Sequence, residues 1–284
     1  MPHCSVELNP DEDLSVLPHE NLSLIQARRG YRVSFDSFFL ADFTDLHGRR
    51  NVLEFGAGSG VLAILLTRKY PHATYTAVEI QESLARRAAR NLRLNDVPGV
   101  SIVLCDLARA PAVFPSAFFD AVICNPPYRK AGTGRLSPVS EKAIARHEIQ
   151  TSLPEILRAA ETVLCHGGSF FFIHRDERRA ETDRLLRFRT LRPTRFRVIR
   201  SFPGSTPDLF MMECTKGSAG AVREIAPLVI YRSPGVYTDE AARLLGKRHF
   251  EPGAPTLSPG SGRAQHPRPG AIESSDGGRR GVQH

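Results

Sequence analysis

The chain has 284 residues, 41% of them apolar and 24% charged, with a formal net charge of +8. That length and apolar fraction suffice for one sizeable core, and the basic balance favours a polyanionic partner. No stretch approaches the ~20 consecutive apolar residues of a membrane span. Met1 to Glu20 lacks a basic start followed by a sustained apolar run, so no secretory signal is expected. The five cysteines form no C-x-x-C pair, which points to a reduced, cytoplasmic protein without a metal site.

Residues 1–21 read as an N-terminal extension and 22–246 as one domain. The domain opens on Leu24 to Gln26 and Gly30-Tyr31-Arg32-Val33-Ser34-Phe35-Asp36-Ser37, then an apolar helical stretch through Phe43. Strands are predicted at 51–55, 74–79, 100–105, 119–124, 168–174, 194–200 and 208–215, with helical segments between most of them. This alternation predicts an α/β fold with a mostly parallel seven-stranded sheet and helices on both faces. A ligand is then expected beyond the carboxyl ends of the strands. From about Pro252 onward proline, glycine and serine dominate without apolar periodicity, so 247–284 is expected to be a disordered tail.

The first predicted strand of the alternating region runs into Glu54-Phe55-Gly56-Ala57-Gly58-Ser59-Gly60, and a helical run begins at Val61. Ser59 is a candidate cap for that helix. Glycines allow a tight turn and a close backbone approach to a ligand, but a bare glycine loop suits nicotinamide, flavin and S-adenosylmethionine equally. Spacing separates them: a dinucleotide fingerprint counted from Gly56 needs a glycine at Val61. The pattern is instead acidic-x-G-x-G-x-G, and the next two strands also end in acids, Glu79 and Asp106.

Strand 119–124 stops at Asn125-Pro126-Pro127-Tyr128, because prolines cannot continue a sheet ladder. The tyrosine offers a face for a base to stack on, worth about 1–3 kcal/mol. Farther on, ten arginines against four acids lie between Arg175 and Arg200. Arg184, Arg187, Arg189, Arg192, Arg195 and Arg197, with Phe188 and Phe196 interleaved, form a candidate phosphate-contacting surface, against the alternative of a solvated helix and an edge strand.

These motifs resemble those of the class I S-adenosylmethionine-dependent methyltransferases. The resemblance implies a Rossmann-like fold with S-adenosyl-L-methionine as cofactor and no metal. It also implies that Glu54, Glu79 and Asp106 face the methionine ammonium, the ribose hydroxyls and the adenine amine, around Gly56, Gly58 and Gly60. Glu54 departs from the usual aspartate. In members that modify an exocyclic amine, Asn125, Pro126, Pro127 and Tyr128 would position the target nitrogen.

A narrower likeness rests on the Q…G-Y-R-x-S-x-D-S segment, Asn125 to Tyr128, Ala145-Arg146-His147-Glu148 and the terminal I-Y…G-x-Y-T-x-E pattern of residues 230–240. Together they are similar to the bacterial tRNA1(Val) adenine-N(6) methyltransferase family, over roughly residues 22–245. That likeness implies methylation of the adenine 3′ of the anticodon in a valine tRNA, with Ser34 and Asp36 beside the cofactor and Arg146 near the substrate loop. His147 reads as a helix-start residue rather than a base. The alternatives are a release-factor glutamine methyltransferase, a ribosomal-RNA amine methyltransferase and an inactive RNA- or cofactor-binding module. Only about fifty residues precede the core, against the larger helical N-terminal domain usual in the release-factor family, and the chain has little room for a DNA-recognition domain, so no DNA partner is expected; a monomer is the expected state.

Overall fold

The computed structural model describes residues 7–17, 21–30, 32–126 and 152–246. Pro127, Tyr128, Arg146 and His147 lie outside the described residues, as does the expected tail 247–284. The chain divides into Met1–Ala254 and Pro255–His284, and every described residue belongs to the first unit.

The sequence opens on a hairpin. β1 (Glu12–Leu17) pairs antiparallel with β2 (Leu22–Ala27), so part of the stretch read as an extension is built into the fold. There follow α1 (Asp36–Phe43), β3 (Asn51–Phe55), α2 (Val61–Lys69), β4 (Thr74–Glu79), α3 (Glu82–Leu94) and β5 (Val100–Leu104). After a 3-10 turn at Leu107–Arg109 come α4 (Ala110–Val113) and β6 (Phe119–Cys124). The chain continues with α5 (Leu153–Val163), β7 (Leu164–Arg175), α6 (Arg179–Leu186), β8 (Leu191–Arg200) and β9 (Leu209–Lys216). It closes with the short strands β10 (Arg223–Glu224), β11 (Leu228–Val229), β12 (Tyr231–Ser233) and β13 (Val236–Tyr237), then α7 (Asp239–Leu244).

The principal sheet has the order β10-β8-β9-β7-β6-β3-β4-β5, with β11 also beside β8. Only β9 runs antiparallel to its neighbours. The seven expected strands are all in it, and β10 and β11 are two-residue additions whose length falls below what periodicity can reveal. Central strands are apolar on both faces because helices cover both. On β7 the alternation is direct: Phe171 and Ile173 join the core with α1 and α2, while Phe170 and Phe172 join the core with α5. β8 starts three residues before its expected beginning because the pairing with β9 runs past Pro193, with an irregularity between Pro193 and Arg195 where the ladder lacks a proline N–H.

The hairpin is clasped to α3 by side chains that imitate a neighbouring strand. Asn91 accepts from the Ile25 N–H at 2.7 Å and donates to the Ile25 carbonyl at 3.1 Å. One turn on, Asn95 does the same to Ser23, at 3.1 and 2.6 Å. Helix positions four apart share a face, and strand positions two apart share an edge, so the two asparagines match the repeat. Arg87 and Arg90 of the same helix grip the buried Glu12 carboxylate of β1 at 3.0 and 2.7 Å. Among the described residues no helix is long and apolar enough to cross a membrane.

Candidate active site

The carboxyl ends of β6, β3, β4 and β5 lie side by side in that order, so the four motifs that follow them share one edge. The loop after β3 needs its glycines: Gly56, Gly58 and Gly60 have φ of 79°, 54° and 78°, in the left-handed region that side chains disfavour. Its backbone is tied to β4 by N–H groups of Gly56 and Ala57, both donating to the Val78 carbonyl at 2.9 Å. Gly60 also packs closely, since a Cβ there would meet that of Ala88 at 3.2 Å. Ser59 is not the helix cap. Gly60 holds that position, and the buried Ser59 hydroxyl has no hydrogen-bond partner among the described residues.

Glu79 is 4% exposed and accepts from the Gly58 N–H at 2.9 Å and the Gln81 N–H at 3.0 Å. Burial raises its carboxyl above the ordinary range, and these backbone bonds oppose the rise. The carboxylate therefore braces the glycine loop as well as facing the cleft. Asp106 caps the turn after β5 by accepting from the Ala108 N–H at 2.9 Å.

Between these strand ends lies a cleft. Glu79, Asp106 and Asn125 are its polar walls, and Phe55, Val78, Ile80, Leu107 and Pro126 its apolar ones. A cleft that pairs carboxylates with flat apolar surface suits a ribose diol joined to a purine, and Gly56 leaves open space where a Cβ would stand. The residues present thus fit S-adenosylmethionine. Among the described residues no group of three or more His, Cys, Asp or Glu side chains could hold a metal ion.

Glu54 goes elsewhere. Its carboxyl is 2% exposed, does not line the cleft, and leaves Oε2 without a hydrogen-bond partner among the described residues. Burial pushes its pKa up to about 8; the Tyr75 hydroxyl beside it pulls downward and the Glu79 charge pushes upward. Val52 pairs with Tyr75 and Glu54 with Ala77, so adjacent strands bring acid and phenol to one face. Sequence pattern gave no hint of Tyr75. Glu54 thus faces the Tyr75 phenol across the β3–β4 pairing.

Asn125 stands at the end of β6 on the cleft wall, and its Nδ2 donates to the Ser37 hydroxyl at 3.1 Å. Ser37 is buried in the first turn of α1, which carries the pre-core segment to the carboxyl edge. Ser34 is exposed just before α1 and Asp36 is partly buried at its start; neither lines the cleft. Ser37 was visible as the last residue of the S-x-D-S pattern, though its partner was not.

The arginine surface needs correction. Arg197 is 8% exposed and donates to Glu240 at 2.7 Å and to the Ala226 carbonyl at 2.8 Å. Arg195 pairs with Glu213 at 3.0 Å and lies 4.4 Å from the Phe43 ring centre. Arg189 pairs with Glu161 at 2.9 Å, and Arg192 closes the end of α6 through the Leu186 and Arg187 carbonyls. Strand alternation and packing draw Arg197, Arg195 and Arg189 inward, while Arg192 stays exposed. Arg184 and Arg187 remain exposed, without an ion pair to any described residue.

The family model described as methyltransferase small domain matches residues 32–192. A tRNA1(Val) (adenine(37)-N6)-methyltransferase of Pedobacter heparinus is 27% identical over 219 residues, 77% of this chain and 91% of that protein. A protein of the same name from a Shewanella species is 31% identical over 146 residues, and there the match spans only 49% of this chain and 58% of the relative. Among solved structures, a predicted O-methyltransferase from Agrobacterium tumefaciens superimposes with a TM-score of 0.59 at 22% identity, covering 75% of this chain and 96% of that one. That likeness supports the Rossmann-like fold.

Proposed function

This chain belongs to the methyltransferase small-domain family, and from that premise we propose that it methylates the exocyclic 6-amino group of an adenine in tRNA, the one 3′ of the anticodon in a valine tRNA. The observation that carries the reading is Asn125-Pro126 on the wall of a cleft shared with the glycine loop and Asp106. The names of the relatives from Pedobacter and Shewanella support the choice of RNA.

S-adenosylmethionine supplies an electrophilic methyl group when bound. Gly56, Gly58, Glu79 and Asp106 would hold it, with Ser34 and Asp36 near its open side. Asn125 positions the acceptor. The bond from Nδ2 to Ser37 orients the amide, whose oxygen and the Pro126 carbonyl would accept the two hydrogens of the target NH2. Holding both hydrogens in one plane aims the nitrogen lone pair along a single direction. Tyr128 supplies the stacking face. Unpaired loop bases reduce the unstacking cost of a few kcal/mol.

The test is transfer of labelled methyl groups to separate pools of unmodified tRNA, ribosomal RNA, release factor and DNA. Label should enter tRNA as N(6)-methyladenosine beside the anticodon. Label confined to a release-factor glutamine would move the function to a protein substrate, since a glutamine amide presents the same planar NH2. Cofactor binding without transfer to any pool would leave only a binding module.

A further inference from the structure

Phe188 is 89% exposed, the most solvent-facing large apolar side chain among the described residues. It stands in the turn between α6 and β8, while Leu186 and Leu191 on either side are buried. The turn itself is held from beneath: Arg189 donates to Glu161 and to the Pro154 carbonyl, and the Thr190 hydroxyl donates to Glu161 at 2.7 Å. Arg192 closes the helix end just below. The ring is therefore presented on a fixed mount. Arg184 and Arg187 are exposed beside it, and the nearby acid Asp183 already faces Arg179 at 4.0 Å.

We propose that Phe188, with Arg184 and Arg187, is a second RNA-contacting surface that takes an unpaired base and its flanking phosphates away from the methylated nucleotide. The proposal rests on the RNA-methylating reading above. An aromatic face between guanidinium groups is the combination that binds single-stranded nucleic acid without reading its sequence.

Its distance from Asn125 follows from register. Leu191 pairs with Lys216, Thr215 with Ser169, and Ser169 with Ala121, so β8 begins level with the start of β6. Asn125 lies five residues farther along and three strands across, which at ~3.3 Å per residue and ~4.8 Å per strand is on the order of 20 Å. The immediate neighbours of the target cannot reach that far. The surface would sense the body of a folded RNA.

Binding of a full-length valine tRNA transcript and of a five-nucleotide RNA centred on the target adenine should be compared by fluorescence anisotropy. Phe188→Ala should weaken the transcript by about 5- to 100-fold, Phe188→Tyr should bind it like the parent, and neither should alter the short RNA. Replacing Arg184 and Arg187 by glutamine should lower the salt slope for the transcript by about 0.7–0.9 for each phosphate no longer neutralised. Equal affinity of Phe188→Ala and parent for the transcript, or equal losses on both RNAs, overturns the proposal. So does a change of sedimentation from dimer to monomer with RNA affinity unchanged, which would assign the ring to a second copy. A parent protein that labels neither RNA removes the underlying reading, which the labelling assay detects separately.

Discussion

Arg197 and Glu240, forty-three residues apart, meet at 2.7 Å and fasten α7 to the edge of the principal sheet. Thr238 completes the fastening by capping α7 at Ala241 and donating to the Val229 carbonyl. The terminal G-x-Y-T-x-E pattern thus has a structural use here. Arg197→Ala should lower unfolding free energy by about 1–3 kcal/mol, tempered by the partial exposure of Glu240. Urea denaturation reads this directly. The salt slope of RNA binding should not move, and a flattened slope would return Arg197 to the RNA surface.

Gly58→Asp should weaken cofactor binding more than tenfold. The Gly58 N–H donates to Glu79, so the new carboxylate would arrive beside a buried one, and the position has a left-handed φ of 54°. Like charges ~5 Å apart repel by about 3 kcal/mol at an effective dielectric constant of 20. Titration calorimetry with S-adenosylmethionine is the measurement, and unchanged affinity would reject the loop assignment.

Asn125→Ala should leave cofactor affinity within about twofold while reducing kcat at least ~100-fold, because alignment of reacting atoms can supply about 7–11 kcal/mol. Single-turnover transfer separates the two effects. Comparable losses in affinity and rate would mean that Asn125 mainly supports the cofactor. Ser37→Ala should give a smaller loss in kcat, with Ser37→Thr close to the parent.

The pH dependence of stability should carry a signature of Glu54. Its folded pKa is pushed up to about 8 from an ordinary 4.5. Between those values the unfolded chain has lost a proton that the folded one keeps, so this group's contribution is fully present below 4.5 and declines as pH rises to about 8. Glu54→Gln removes the decline. In cofactor-free protein the variant should gain on the parent by on the order of 4 kcal/mol from pH 4.5 to pH 8. A difference that stays constant with pH would show that the folded state holds Glu54 ionised.

The glycine loop and the strand order were legible because both are local: a left-handed turn needs glycine where it occurs, and apolar runs declare buried strands. Asn125 was legible for the same reason, since two prolines end its strand. The direction taken by Glu54 was not, because it depends on Tyr75 on the adjoining strand. Nor were the fates of Arg195 and Arg197, whose partners Glu213 and Glu240 lie far along the chain. Charge counts cannot separate an arginine that greets a phosphate from one that closes a fold.

The asparagine clasp on α3 also sets an order of assembly. A two-stranded hairpin is marginal by itself in water. The groups that complete β2 are Asn91 and Asn95, sixty-six and seventy-two residues downstream of their partners. During synthesis the first strands therefore emerge with an open edge and wait for the third helix. Since Asn91 also donates to the Ser59 carbonyl at 2.9 Å, the event that closes the hairpin also steadies the glycine loop. The hairpin and the ligand cradle should become protected against hydrogen exchange together.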